Sequence, residues 1–121
     1  MTKRILVIDD DLLARRVISA ALEEEGCEVV TSVDFEDALG KIRQTPPDLV
    51  LLDVIMPEIS GFEACRKIKE MFQPQPPPVI VMTGKLDAID PIKARKMGAD
   101  DFAVKTSDMA VLIQAVRKIL S

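Results

Sequence analysis

The stretch ILVIDDD, residues 5 to 11, decides the fold because a buried strand runs directly into a charged loop. The apolar run Ile5–Ile8 is typical of a strand that is covered on both faces of a sheet. Asp9, Asp10 and Asp11 follow it, and Asp11 is suited to cap the next helix. Carboxylates crowded at the edge of a core repel one another and reduce stability unless a cation or hydrogen-bond donors compensate. The stretch therefore predicts a strand that ends at a cation site.

Four further short apolar runs follow along the chain, at Val29–Val30, Leu49–Leu52, Val79–Met82 and Phe102–Val104. Segments in which apolar residues recur at helical spacing follow each run. The segment between Asp87 and Met97 has the least apolar surface, although Asp90-Pro91 is typical of a helix start. Five strands that alternate with five helices predict a doubly wound α/β fold, with a parallel sheet and helices on both of its faces.

Composition sets the class of protein. The length of 121 residues fits one domain, so we expect a single domain over residues 1–121. The net charge of -4 opposes contact with nucleic acid or anionic lipid. The apolar run Ile5–Ile8, which follows Lys3 and Arg4, is too short for the hydrophobic region of a signal sequence. Cys27 and Cys65 lack the spacing of a disulfide framework or a zinc site, so we expect a cytoplasmic protein with reduced thiols. The chain has no histidine, which excludes histidine-based catalysis and histidine-ligated metal.

Polar side chains follow four of the predicted strands. They are Asp9 and Asp10 after the first strand, Asp53 after the third, Thr83 after the fourth and Lys105 after the fifth. Ligands of doubly wound sheets bind outside these carboxyl ends. Mg²⁺ prefers one or two carboxylates with waters and phosphate oxygens, so Asp10, Asp53 and a backbone carbonyl could hold it. A carboxylate such as Asp53 can also attack phosphorus, with Lys105 and Thr83 placed to stabilise the phosphoryl oxygens.

The chain resembles the response-regulator receiver domains of two-component signalling over its whole length. The motifs that carry the resemblance are ILVIDDD (5–11), DLVLLDVIMPEISGFEACRKIK (48–69), PVIVMTG (78–84) and GADDFAVK (98–105). The spacing of Asp53, Thr83 and Lys105 also suits this family. The resemblance implies a flavodoxin-like (βα)5 fold with strand order 2-1-3-4-5.

The resemblance also implies a role for each candidate residue. Asp53 would be the phosphoacceptor, with Thr83 and Lys105 beside the phosphoryl group. Mg²⁺, for which Mn²⁺ can substitute, would bind Asp9, Asp10, Asp53 and the backbone carbonyl of Ile55. Thr83 and Phe102 would form a switch pair that alters the face built from the fourth helix, fifth strand and fifth helix.

The partners follow from the same resemblance. A histidine kinase or a histidine phosphotransfer protein would donate the phosphoryl group. A downstream protein or a fused output domain would read the switched face, through which two copies could also form a homodimer. The chain would catalyse only its own phosphorylation and dephosphorylation. The family usually has proline after the lysine, where this chain has Thr106, so the bond between Lys105 and Thr106 could be cis or trans.

Three other functions fit parts of the sequence but not all of it. A P-loop at Gly84-Lys85 fails because the motif needs glycine at position 79, which is Val79. A phosphohydrolase of the haloacid-dehalogenase type also uses an aspartate nucleophile with Mg²⁺, but its general acid would fall at Ile55. A receiver-like scaffold that never takes phosphate would not need the complete set of site residues.

Overall fold

The computed structural model describes residues 2–84, 90–106 and 108–121. Its strands are β1 Arg4–Ile8, β2 Glu28–Ser32, β3 Leu49–Asp53, β4 Val79–Thr83 and β5 Asp101–Val104. Its helices are α1 Leu12–Glu24, α2 Phe35–Gln44, α3 Gly61–Met71, α4 Pro91–Lys96 and α5 Ala110–Leu120. The strands form one sheet in the order β2-β1-β3-β4-β5, and every pairing is parallel. The predicted fold class and strand order are confirmed.

Both faces of the sheet are covered, which explains the continuous apolar runs. Along β1, Ile5 and Val7 pack in the cluster that contains α1 and α5 residues. Leu6 and Ile8 point to the opposite cluster, formed with α2, α3 and α4. Residues 49–52 of β3 are all 0% exposed, because β3 is the middle strand. Burial of these runs is the main driving force for folding.

Four helices begin at a side-chain cap, formed by Asp11, Asp34, Ser60 and Asp90. The predicted cap at Asp11 is confirmed by its hydrogen bond from the Leu13 amide, and α4 begins at Pro91 as expected. The predicted fourth helical segment also included residues 87–89, which lie outside the described residues. Within the described ranges, no helix has the length and apolar character needed to cross a bilayer.

The strand pairing determines which loops meet at the carboxyl edge of the sheet. Ile8 pairs with Leu52, so Asp9 and Asp53 follow at the same level on neighbouring strands. Thr83 ends β4 and pairs with Val104, the residue before Lys105. Four chain segments that are distant in sequence therefore converge at one edge.

Candidate functional site

Three carboxylates form the centre of the site. Ligand oxygens of Asp9, Asp10 and Asp53 all lie within 4.8 Å of one another. Asp9 is fully buried and Asp53 is 8% exposed, whereas Asp10 faces solvent. The predicted carboxylate cluster is therefore present, with one open side.

Lys105 connects two of these carboxylates. Its Nζ lies 2.9 Å from Oδ2 of Asp9 and 3.6 Å from Oδ2 of Asp53. Burial lowers the pKa of Lys105, but the ion pairs with Asp9 and Asp53 outweigh burial and leave this pKa above its ordinary value. The side chain therefore carries a positive charge at neutral pH. The closer contact is with Asp9, whose Oδ1 also accepts the Asp11 amide at 3.0 Å.

Burial and a neighbouring negative charge disfavour the ionised form of Asp53. Its burial, together with the nearby charge of Asp9, raises its pKa to about 6, although Lys105 acts in the opposite direction. The Ile55 amide donates a long hydrogen bond, 3.3 Å, to its Oδ1. Without a cation, part of the Asp53 population is protonated near neutral pH. A bound cation would favour the ionised form.

The donor set fits Mg²⁺. Hard oxygen ligands on one or two carboxylates, with room for water and phosphate oxygens, are what this ion prefers. Among residues 2–84, 90–106 and 108–121, three carboxylates face one ammonium group here, so the cluster keeps negative charge that a divalent cation would neutralise. Asp9, Asp10 and Asp53 could hold it. The role of the Ile55 carbonyl as a metal ligand stays a prediction. The Ile55 amide donates to Asp53, and the Ile55 side chain is 53% exposed.

Thr83 and Phe102 lie on the same face of the sheet. Phe102 pairs with Val81, and Thr83 is two residues further along β4, so their side chains point the same way. Thr83 is 1% exposed, whereas Phe102 is half-buried at the edge strand. The two side chains of the predicted switch pair therefore lie on one face of neighbouring strands. The role of this pair stays a prediction.

Hydrogen bonds fix Lys105 and Thr106 in place, although Thr106 stands where the family usually has proline. Among the described residues the only cis peptide bond is Gln73–Pro74, so the bond between Lys105 and Thr106 is trans. The Lys105 amide donates to the Thr83 carbonyl at 2.7 Å, which extends the strand pairing by one residue. Asp108 then accepts the Thr106 hydroxyl and the Ala110 amide, each at 3.0 Å. Lys105 reaches the carboxylates although the usual proline is absent.

The sequence did not indicate two backbone contacts beside the cluster. Arg15 donates from its guanidinium to the Asp9 carbonyl at 2.7 Å, which holds the first acidic loop against α1. Gly61 donates its amide to the Val54 carbonyl at 2.8 Å and brings α3 against the end of β3. An arginine in a helical segment does not by itself indicate a contact such as that between Arg15 and the Asp9 carbonyl. A glycine eight residues after Asp53 suggests a turn but not a close approach.

Substitution of Gly61 by alanine should destabilise the protein strongly. A Cβ at this position would lie 2.2 Å from the Asp53 carbonyl oxygen and 2.7 Å from the Val54 Cα, both backbone atoms that cannot give way cheaply. We expect a loss of roughly 3 kcal/mol or more in urea unfolding, in the range of strained or overpacked sites. Gly40→Ala is the control, because nothing lies within 4 Å of the position that its new Cβ would occupy. Alanine within α2 should raise the free energy of unfolding by about 0.5–1 kcal/mol. Equal effects of the two substitutions would contradict the close approach.

The comparisons with known proteins agree with this geometry. The family described as "Response regulator receiver domain" matches residues 5–117, so the chain belongs to the response-regulator receiver family. Its curated relatives include the transcriptional regulatory protein AfsQ1 of Streptomyces coelicolor, 38% identical, which covers 96% of this chain and 50% of that protein. Protein PilG of Pseudomonas aeruginosa is 33% identical, with 94% and 84% covered.

A solved structure is also close. Response regulator TrrA of Thermotoga maritima, in complex with Mg²⁺-BeF, matches with a TM-score of 0.86 and 33% identity, covering 98% of this chain and 99% of that one. The chain spans about half the length of several curated relatives, 50% for AfsQ1 and 48% for the probable transcriptional regulator ycf27 of Cyanophora paradoxa. Receiver domains of this family are signalling modules of two-component response regulators, which interact with histidine kinases and output domains.

Proposed function

We propose that this chain accepts a phosphoryl group on Asp53 from a histidine kinase or a histidine phosphotransfer protein, and that this switches the face formed by α4, β5 and α5. The observation that carries the proposal is the approach of Lys105 Nζ to Asp9 and Asp53, at 2.9 and 3.6 Å, within a cluster of three carboxylates. The whole chain, residues 1–121, would act as one receiver domain. The phosphoryl group would control a downstream protein or a fused output domain.

Each residue has a chemical part in this transfer. A carboxylate oxygen of Asp53 attacks phosphorus, and the bond from phosphorus to the donor nitrogen breaks with its electron pair. Lys105 stays charged and moves from its pairing with Asp53 toward a phosphoryl oxygen, while Asp9 keeps its end in place. The Thr83 hydroxyl, at the end of the next strand, can donate to a second phosphoryl oxygen. The chain thus catalyses its own phosphorylation. Attack of water on phosphorus then breaks the bond to the Asp53 oxygen, releases inorganic phosphate and restores the carboxylate.

Mg²⁺, held by Asp9, Asp10 and Asp53, would neutralise charge on the phosphoryl oxygens when bound. Mn²⁺ should replace it, because both ions accept carboxylate and water ligands in octahedral geometry. The raised pKa of Asp53 supports a cation at this position, since ionisation of the nucleophile needs compensation.

Incubation with acetyl phosphate and Mg²⁺, followed by intact mass spectrometry, tests this function. We expect the mass gain of one phosphoryl group, lost on removal of Mg²⁺ by a chelator. A chain that never gains the group would favour the scaffold function. Steady release of phosphate from small phosphate esters would favour the phosphohydrolase instead.

Mg²⁺ should stabilise the protein through Asp10. Binding to the folded state alone adds RT ln(1 + [L]/Kd), which is about 2.7 kcal/mol at one hundred times Kd. Asp10→Asn removes a charge on the solvent side of the cluster, so most of that gain should disappear. Asp11→Asn is the matched control, because asparagine keeps the α1 cap and Asp11 lies outside the cluster. Thermal unfolding with and without Mg²⁺ measures both variants, and an unchanged shift in Asp10→Asn would exclude this ligand set.

Thr83→Ala should leave Asp53 phosphorylatable but uncouple the distal face. The hydroxyl is the group that a phosphoryl oxygen would attract, and its displacement would open space on the side of the sheet where Phe102 lies. Amide NMR of residues 90–105 with and without beryllofluoride measures the coupling. We expect large shifts in the parent and in Thr83→Ser, and small ones in Thr83→Ala. Equal shifts in all three proteins would show that the coupling runs through other residues.

The cellular setting is also proposed. Cys27 and Cys65 are free thiols, which supports a location in the reducing cytoplasm. The acidic net charge supports protein partners over nucleic acid or membrane.

A further inference from the structure

Backbone and side-chain contacts hold Asp9 from four directions. Its amide donates to the Ser32 carbonyl at 3.2 Å, and its carbonyl accepts Arg15 Nη1 at 2.7 Å. On the carboxylate, Oδ1 accepts the Asp11 amide at 3.0 Å and Oδ2 accepts Lys105 Nζ at 2.9 Å. The residue is also fully buried. Asp9 is therefore a fixed point of the site.

The next residue, Asp10, has less support for its side chain. Its carboxylate faces solvent and takes part in no ion pair within residues 2–84, 90–106 and 108–121. One of its oxygens nevertheless lies within 4.8 Å of ligand oxygens of Asp9 and Asp53. The position of this carboxylate therefore depends mainly on the backbone from which it projects.

Arg15 controls that backbone through a peptide group. The Asp9 carbonyl and the Asp10 amide belong to one planar unit, so a hydrogen bond to the carbonyl fixes the direction in which the Asp10 Cα lies. The guanidinium supplies this bond as a charged donor, which makes it stronger than a neutral hydrogen bond. Arg15 is itself anchored in α1, where its amide donates to the Asp11 carbonyl at 3.0 Å. Arg15 thus connects the first helix to the peptide that carries Asp10.

A guanidinium beside a cation site has two opposing effects. Its positive charge repels a divalent cation, so charge alone would make the loss of Arg15 favourable for cation binding. Its hydrogen bond holds a peptide that carries a ligand, and removal of groups that orient metal ligands typically lowers metal affinity about 10- to 100-fold. Because Arg15 bonds to a backbone carbonyl, and forms no ion pair with the carboxylates of the described residues, the orienting effect should dominate.

We propose that Arg15 is a positioning residue of the cation site, which acts through the peptide between Asp9 and Asp10 and does not contact the cation. It preorganises the Asp10 carboxylate as a ligand for Mg²⁺. The inference rests on the proposed function in that Asp10 is taken as a ligand of the cation. It depends neither on phosphoryl transfer nor on the switch.

Titration of the full chain with Mg²⁺, without a phosphoryl donor, tests the inference, and the amide NMR shifts of residues 9–11 give the Kd. Arg15→Met keeps the aliphatic stem but removes the donor, so it should weaken Mg²⁺ binding by about tenfold. Arg16→Met is the matched control, because it removes the same charge from the next, exposed position of α1. Since exposed charges are screened, its Kd should stay within about twofold of the parent value. Arg15→Lys retains a charged donor and should bind Mg²⁺ more tightly than Arg15→Met.

Three outcomes would overturn the inference. Equal or tighter Mg²⁺ binding by Arg15→Met would mean that the contact does not orient a ligand. Lower stability of Arg15→Met in urea without metal, at an unchanged Kd, would assign the contact to folding alone. Binding by Arg15→Lys that is no tighter than that by Arg15→Met would fit charge repulsion instead, and this comparison holds even if both variants are less stable than the parent.

Failures of the two proposals are distinguishable by Asp10→Asn in the same titration. If Asp10→Asn binds Mg²⁺ like the parent, the ligand set of the proposed function is wrong, and the role of Arg15 is wrong with it. If Asp10→Asn binds weakly but Arg15→Met binds like the parent, the ligand set stands and the role of Arg15 is overturned.

Discussion

Asp53→Asn is expected to abolish phosphorylation by acetyl phosphate while preserving the fold. Asparagine has the shape of aspartate but no nucleophilic carboxylate, and Asp53 is the cluster carboxyl that lies at the end of β3 with its pKa raised to about 6. Intact mass spectrometry should therefore show no phosphoryl gain. Asp11→Asn, the same chemical change two residues from Asp9, should be labelled like the parent. Full labelling of Asp53→Asn would mean that another residue is the acceptor.

The same variant should be more stable than the parent without metal at neutral pH. Unfolded Asp53 ionises near 3.8 and folded Asp53 near 6, so the folded state holds the extra proton between these values. The free energy of unfolding of the parent therefore falls as the pH rises from about 3.8 to about 6. Above about pH 6 the destabilisation caused by ionised, buried Asp53 has reached its full size. We expect Asp53→Asn to gain roughly 1–3 kcal/mol at about pH 7.5 and about half of that at pH 5, in urea unfolding with chelator. A loss of stability at neutral pH would contradict the raised pKa.

Lys105→Met should have a large effect on both stability and phosphorylation. Asp9 is fully buried, and the ammonium 2.9 Å away is its charge partner, so methionine would leave a buried carboxylate uncompensated. We expect a loss of about 2–4 kcal/mol without metal, partly recovered with Mg²⁺. Phosphorylation should slow by roughly a hundredfold or more, because a charged donor to the phosphoryl oxygens is removed.

Lys67→Met is the matched control for this prediction. Lys67 is exposed on α3, where loss of a charge should change stability by less than about 0.5 kcal/mol. Phosphorylation of this control should match the parent. If Lys105→Met behaved like the control in both measurements, the pairing of Lys105 with the carboxylates would have no energetic role.

The fold could be predicted because its strands are buried on both sides. Residues 49–52 and 79–82 are continuous apolar runs, and parallel strands joined by helices have few possible arrangements. The site followed from the same rule, since ligands bind at the carboxyl edge of such sheets. The converging carboxylates and Lys105 were thus placed correctly. Their role as a metal and phosphate site stays a prediction, for which the family resemblance supplied the individual residue roles.

Other features could not be predicted because they depend on tertiary distances. Lys105 is closer to Asp9 than to Asp53, a difference between two strand-end loops that spacing along the chain does not encode. The bond after Lys105 is trans, the usual form before a residue other than proline. The hydrogen bond from the Thr106 hydroxyl to Asp108 is a contact that the sequence alone does not indicate. The close approach of Gly61 to β3 depends on how α3 packs.

The most direct test of the proposed function is the position of the phosphoryl group. The chain would be incubated with acetyl phosphate and Mg²⁺, and the acyl phosphate would be reduced with borohydride and mapped by peptide mass spectrometry. Reduction converts a phosphorylated aspartate to homoserine, so we predict homoserine at Asp53 and nowhere else. Homoserine at Asp9 or Asp10, or unmodified Asp53 in a protein that has gained phosphate, would contradict the account.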